Sequence, residues 1–263
     1  VCGALGVSLH PSAVIHPGAK LGDGVEIGPF CVIGEHVDIG AGTRIDSHVV
    51  IHGPTRIGRD NRIHSFAAVG GEPQDKKFHG ERCELQIGDR NLIREFVTIN
   101  RGTSDDASIT RIGSDNWIMA YVHIAHDCRI GDHNTFANAA SMAGHVHIGN
   151  HVVLGGFSLI HQFCKVGDHA FTAMGASVNR DVPPYVMVAG EYAQPRGINS
   201  EGLKRRGFSA ERIAAIKRGY RALYTAGLPL AEARARIAAD AADAPDLALL
   251  VDFIDASTRS LIR

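Results

Sequence analysis

Aliphatic residues recur along this chain with a period of six. Leu9, Ile15, Leu21, Ile27, Ile33, Ile39, Ile45, Ile51, Ile57, Ile63 and Val69 follow one another without a slip. A short second run holds Ile87, Ile93 and Ile99, and a third runs from Ile112 through Ile118, Ile124, Ile130, Phe136, Met142, Ile148, Leu154 and Ile160 to Val166. Two positions before most of these stands a small or β-branched residue, such as Val25, Cys31, Val37, Val122, Cys128 or Ala140. Residues two apart on a strand share a face, so a large and a small side chain enter one narrow core together. Glycine often follows the aliphatic, as at Gly22, Gly28, Gly40, Gly58, Gly131 and Gly149, and is expected to relax the backbone at a corner. Six residues are too few for a helical repeat. A short strand plus a corner predicts a parallel β-helix.

The pattern breaks twice. Asp75 and Glu81 fall on core positions, so 70–84 is predicted to project as a loop. The phase slips by one between Ile99 and Ile112, which makes 101–108 a second excursion. Loops on a rigid scaffold tend to carry function. The period fades at Thr172 and Val178 and ends at Asp181-Val-Pro-Pro184. Beyond about Glu191, Ile213, Ile216, Tyr220, Leu223 and Tyr224 follow helical spacing with Ser209 as N-cap, and 230–242 and 246–258 read as further helices. The expected division is a β-helix over 1–190 and a small α-helical domain over 191–263, the latter packed on its own or a neighbouring prism.

Composition changes this picture little. With 6% aromatic residues and 30 glycines, the core must be aliphatic and the backbone must turn often. A net charge of −1 gives no basis for nucleic-acid binding. Cys2, Cys31, Cys83, Cys128 and Cys164 are odd in number and lack CxxC spacing. That argues against a disulfide framework or zinc ribbon and for a reducing cytoplasm. No apolar run is long enough to span a bilayer, and the first residues lack the features of a secretion signal.

The six-residue pattern resembles that of the hexapeptide-repeat transferases, which implies a triangular prism of three hexapeptides per coil, so residues eighteen apart would stack about 4.8 Å from one another. His126, Gly144 and Gln162 form one such column and Asp127, His145 and Phe163 the next, with His123 and His161 close by. A neutral imidazole can take a hydroxyl proton near pH 7. Asp127 could fix its tautomer, and Gly144 would let a backbone N–H approach a developing oxyanion. This grouping predicts an acyl-transfer site. Two other readings stay open. The His123/His126 pair could bind metal, although the zinc-binding γ-class carbonic anhydrases, which share such a prism, space their same-chain ligands more widely. A non-catalytic solenoid could bind a partner along its flat faces, but it offers no reason for the grouping. The inward cysteines read as core filler and Lys204-Arg205-Arg206 as a solvated helix face.

Several segments together resemble the UDP-N-acetylglucosamine O-acyltransferases that begin lipid A synthesis, over nearly the whole chain. They are Gln74-Asp75-Lys76-Lys77, Ile93-Arg94-Glu95 with Arg101-Gly102-Thr103, His123-Ile-Ala-His126-Asp127-Cys128, Ala143-Gly144-His145-Val146, His161-Gln162-Phe163-Cys164, Asp181-Val-Pro-Pro184-Tyr185 and Asn199-Ser-Glu201-Gly-Leu-Lys-Arg-Arg-Gly-Phe208. The resemblance implies a left-handed triangular prism, a homotrimer and a site between protomers. It implies transfer of an (R)-3-hydroxyacyl chain from acyl carrier protein to the sugar 3-hydroxyl, with no cofactor and no metal. His126 would be the base, paired with Asp127, and the Gly144 N–H the oxyanion donor. Asp75, Lys77, His123, His145, His161 and Gln162 match substrate-contacting positions; Asn199, Glu201 and Arg205 match those that grip the UDP part. Met174 aligns with the residue that closes the acyl groove, which predicts a chain of roughly ten to twelve carbons rather than about fourteen. Arg94, Arg101, Lys204 and Arg206 are expected, from charge and location, to dock the acidic carrier protein. Other enzymes on this prism remain as alternatives: a related N-acyltransferase, expected to carry an extra N-terminal domain, a coenzyme A-dependent acetyltransferase, or a zinc hydratase.

Overall fold

The computed structural model describes residues 6–104 and 107–263; Cys2 and positions 105–106 of the second excursion lie outside them. Short strands wind into three parallel sheets, each sheet taking every third strand. This is a parallel β-helix with three flat faces. The six-residue aliphatics stack in register: Ile27, Ile45, Ile63, Ile93, Ile118, Phe136 and Leu154 lie over one another on the first face. Their small partners, Val25, Cys31, Val122, Cys128 and Ala140, are 0% exposed. The core read from the sequence is thus the core observed. It carries a polar thread as well. The side-chain oxygens of buried Asn61, Asn91 and Asn116 each accept the backbone N–H one coil further on, at 2.9, 3.0 and 2.9 Å.

The corners correct one expectation. The left-handed residue is not the glycine after the aliphatic. It stands three after the aliphatic and is mostly a larger residue: Phe30, His48, Phe66, Asp127 and His145 have φ of 58, 61, 66, 59 and 61°, while Gly24 and Gly42 hold the same place at 68 and 70°. The glycines serve close approach instead. A Cβ on Gly40 would lie 2.5 Å from the carbonyl carbon of Gly58, and one on Gly131 would lie 2.7 Å from the carbonyl oxygen of Gly149. Adjacent coils leave no room there for a methyl group.

Each corner has its own character. Between the first and second faces, Phe30, His48, Phe66, Phe96 and Tyr121 stack at centroid spacings of 4.9 to 5.0 Å. Between the third and first faces, His133, His151, His169 and Tyr185 stack. The corner between the second and third faces carries both predicted excursions. One leaves the strand Ala68–Gly71 and returns at Glu84–Ile87; the other leaves Thr98–Asn100 and returns at Ile109–Ile112. On the following coil the same corner is made by His126 and Asp127.

Helix begins later than Glu191. Val186–Ala189 first joins the first face and pairs antiparallel with Gln194–Ile198. This terminal strand contains Pro195 and Gly197, which break strand patterning and are tolerated at a sheet edge. The helices are α1 (Ser200–Arg205), α2 (Ala210–Tyr224), α3 (Leu230–Ala241) and α4 (Ala248–Ala256). The Ser209 side chain accepts the Arg212 N–H and caps α2. Ile213, Ile216, Leu223, Ile237, Leu247 and Leu250 form a second core with buried Tyr185, whose hydroxyl donates to the Asp246 carbonyl at 3.0 Å. The tail also returns to its own prism, where the Ile262 N–H donates to the Asp181 carbonyl. Among the described residues no helix is long and apolar enough to cross a membrane.

Candidate active site

The strand His123–Ile124 sends Ile124 into the core and His123 outward. Three residues after Ile124 the chain turns the second corner at Asp127, which is 0% exposed. The Asp127 N–H donates to Thr110 Oγ1 at 2.8 Å. Its carboxylate accepts the Thr103 N–H (2.9 and 3.1 Å), the Thr103 hydroxyl (2.6 Å) and His126 Nδ1 (2.8 Å). Burial pushes the Asp127 carboxyl up, but the donors on His126 and Thr103 outweigh it and hold the group below the usual carboxylate range. An ionised carboxylate only accepts hydrogen bonds. His126 Nδ1 therefore carries the proton, and Nε2 keeps a free lone pair.

A Cβ on Gly144 would lie 2.5 Å from Cε1 and 2.7 Å from Nε2 of His126. Glycine is what leaves room for the imidazole. Among the described residues the Gly144 N–H has no backbone acceptor. His145 Nε2 stands 3.7 Å from Asp127 Oδ2, and its ring meets His126 edge-on and stacks on Phe163. His126 is thus held from the side by a carboxylate and has an open backbone donor next to its ring.

A groove of about 620 Å³ opens in front of this pair. Its floor follows the outward column of the second face, His123 over Ser141 over Leu159 over Ser177. Gln74, His161, Gln162 and Tyr192 line it further, with Ala143 and Leu159 supplying exposed apolar surface. The lining suits a ligand with a polar head and an aliphatic tail. His123 Nδ1 pairs with Thr98 Oγ1 at 2.7 Å. Burial, and then nearby His126, pushes His123 below its ordinary range, so it stands there as a neutral imidazole.

Two family models match this chain: bacterial transferase hexapeptide repeats over 6–35 and 109–144, and domain 2 of the UDP N-acetylglucosamine O-acyltransferases over 181–262. The acyl-[acyl-carrier-protein]–UDP-N-acetylglucosamine O-acyltransferase of Stenotrophomonas maltophilia strain K279a is 59% identical over 256 residues, 97% of each chain. The chain belongs to the UDP-N-acetylglucosamine O-acyltransferase family. Two solved members superpose closely. The Francisella novicida UDP-N-acetylglucosamine acyltransferase has a TM-score of 0.95 at 45% identity, covering 97% of this chain and 94% of that one. The Moraxella catarrhalis O-acyltransferase has a TM-score of 0.96 at 45% identity, covering 97% and 99%.

Within this O-acyltransferase fold the expected site residues separate into groups. His123, His126, Gly144, His161 and Gln162 line one groove, with Asp127 and His145 directly behind. Asp75 and Lys77 form a turn beside Gln74, the Lys77 N–H donating to Asp75 Oδ1 at 3.0 Å. Asn199, Glu201 and Arg205 are not brought to this groove by the same chain. Asn199 caps α1 and donates to the His169 carbonyl at the third corner, while Glu201 pairs with Lys204. Met174 sits at the first corner, 79% exposed and outside the lining.

Two of the proposed carrier-docking cations are misplaced by sequence reasoning. Arg101 is 8% exposed and donates to the carbonyls of Gly53 and Gly70 at 2.8 and 2.7 Å. These carbonyls, beside the departure of the first loop, take the guanidinium as their donor. Arg206 turns inward to the His151 carbonyl, so the solvated face holds only Lys204 and Arg205. Arg94 remains outside, paired with Glu95.

Thr103, Ser141, Tyr192 and Arg259 were not singled out by sequence for the site. Ser141 lies eighteen after His123, a register that would have found it. Arg259 reaches His161 Nδ1 at 3.2 Å from the end of the tail, with no sequence signal. His126, Asp127 and His145 offer ligand atoms within 4.8 Å of one another and could hold a divalent cation.

Proposed function

We propose that this chain transfers an (R)-3-hydroxyacyl group from acyl carrier protein to the 3-hydroxyl of UDP-N-acetylglucosamine, with His126 as general base. The Nε2 lone pair takes the hydroxyl proton as the sugar oxygen attacks the thioester carbonyl. Asp127 stabilises the imidazolium that forms, and the Gly144 N–H donates to the oxyanion. Collapse of the tetrahedral intermediate expels the carrier thiolate, which recovers the proton from His126. The thioester is a substrate, so the step calls for no resident cofactor or metal. The observation that carries this reading is the His126–Asp127 hydrogen bond beside Gly144, at the mouth of a largely apolar groove.

His123, His145, His161 and Gln162, with Asp75 and Lys77 above them, contact the substrates. Asn199, Glu201 and Arg205 grip the UDP part from a neighbouring chain, which makes the enzyme active as a homotrimer. The distribution of surface supports this. Val14, Val32 and Leu159 are exposed on the second face and Trp117 on the first, which also carries outward Glu26, Arg44 and Arg62, and the aromatic stack runs along the corner between these faces. The third face presents Lys20, Asp38, Arg56, Arg111 and Arg129. A partner is therefore expected over the second face and the first corner, and solvent on the third. Met174 then closes the acyl channel across that interface and limits the chain to roughly ten to twelve carbons. Replacing Met174 with Gly shifts the preference toward longer donors; an unchanged preference removes Met174 from this role. Arg94 and Lys204 assist carrier docking, so salt raises the apparent KM for the donor. Buried free Cys31, Cys83, Cys128 and Cys164 support a cytoplasmic site of action.

The test is an acyl-transfer assay with UDP-N-acetylglucosamine and a ladder of hydroxyacyl carrier-protein donors, on wild type and His126→Ala. Full activity in the variant overturns the mechanism.

A further inference from the structure

Thr103 has no role in the steps above, yet the second excursion delivers it with care. The base of that excursion is tied at several points. The Arg101 N–H donates to the Gly71 carbonyl at 3.0 Å and the Gly102 N–H to the Glu84 carbonyl at 3.1 Å. The Arg101 guanidinium clamps the Gly53 and Gly70 carbonyls. A Cβ on Gly102 would lie 2.2 Å from the Ile109 nitrogen, so only glycine closes this base. Thr103 arrives buried and fixed, and turns both its N–H and its hydroxyl onto Asp127. On the next two coils the equivalent corner residues are rings, His145 and Phe163, stacked on each other. A carboxylate at this corner therefore depends on a donor from outside the repeat, and the excursion supplies it.

We propose that Thr103 is a positioning residue for the transfer. It locks the Asp127 carboxylate in the orientation that keeps His126 in the Nδ1–H form. This rests on His126 acting as the base. Asp127 Oδ2 accepts from both the Thr103 hydroxyl and His126 Nδ1. Without the hydroxyl the carboxylate is free to turn, and the His126 ring loses its fixed orientation beside the groove. Thr103 does not line the groove, so substrate binding should not feel its loss.

The experiment measures kcat and both KM values for wild type, Thr103→Val, Thr103→Ser and His126→Ala. Loss of one hydrogen bond to a charged group predicts a kcat about ten- to hundredfold lower in Thr103→Val. Both KM values stay within about twofold, as expected for a residue that binds no substrate. Thr103→Ser, which keeps the hydroxyl, restores the rate. Wild-type kcat in Thr103→Val overturns the proposal. So does a Thr103→Ser variant that is equally impaired, which marks a packing role alone. Should Thr103→Val fail to fold, Thr103→Ala is read in the same way. Wild type inactive, or His126→Ala active, sinks the acyl-transfer reading itself. An active wild type and a dead His126→Ala with an unmoved Thr103→Val sinks only this proposal.

Discussion

The second and third corners of the prism both carry histidines on successive coils and use them in opposite ways. At the third corner His133, His151 and His169 stack nearly parallel, 4.9 Å apart at 5 and 11°, and end on Tyr185. His169 is 9% exposed, and its Nδ1 has no partner among the described residues. Burial, then His151 and Arg206, pushes His169 down to about 4. Asp168 and Asp246 oppose this but do not hydrogen-bond the ring. At the second corner Asp127 takes a left-handed position where the next two coils have rings, and Gly144 opens a gap one coil on. The repeat supplies the same backbone at both corners. A carboxylate and a missing side chain turn one imidazole into a candidate base, and their absence leaves the other a neutral packing group.

The widest separation of the two corners is expected from alanine. His126→Ala should lower kcat/KM by about a thousandfold, the general-base contribution. His133→Ala, at the exposed end of the other stack, should stay within about twofold. Equal losses would mean that the second corner is nothing special. Gly144→Ala comes next. Its methyl displaces the His126 ring, and misplacement by about 1 Å costs on the order of a hundredfold. If steady-state rates and the His126 ring signals by NMR both match wild type, the gap does not matter.

The third corner should show itself in stability instead. The folded-state pKa of His169 lies below the unfolded value of about 6.5, so the unfolded chain binds the proton first. The stabilisation is present above about pH 6.5 and is lost as pH falls toward the folded value, by roughly 3 kcal/mol at pH 4. Urea unfolding across that window measures it. His169→Phe keeps a ring in the stack and should flatten the slope; an unchanged slope would assign the acid sensitivity elsewhere. The smallest effect concerns the first corner. Phe96→Ala removes one stacked ring and, under the proposed trimer, should weaken subunit association by about 1 kcal/mol. Sedimentation on dilution would show it, and unaltered association would place the interface elsewhere.

Legibility differed by element for physical reasons. Ile27 through Ile63 could be placed in the core from spacing alone, because one inward side chain per six residues leaves a regular imprint. The His126, Gly144 and Gln162 column followed from the same arithmetic once the family resemblance supplied the length of the coil. The glycine after each aliphatic was also visible, but its purpose was not. Whether a glycine relieves a backbone angle or admits the next coil depends on an inter-coil distance that only the wound chain has. Arg101 and Arg206 read as surface cations because charge is legible and the carbonyls that claim them are not. The strand Gln194–Ile198 was passed over because Pro195 and Gly197 hide it.

A period of six dictates the solenoid and its aliphatic core; the family resemblance added the eighteen-residue coil, and the two together bring His126, Asp127 and Gly144 into one place. The tertiary structure decided what escapes that period. It brought the 101–104 segment over the corner so that Thr103 meets Asp127. It moved Asn199, Glu201 and Arg205 away from the groove of their own chain, and it turned Arg101 inward. Excursions and helices obey no repeat, so their contacts are set by packing and hydrogen-bond satisfaction across many coils, which a linear pattern does not record.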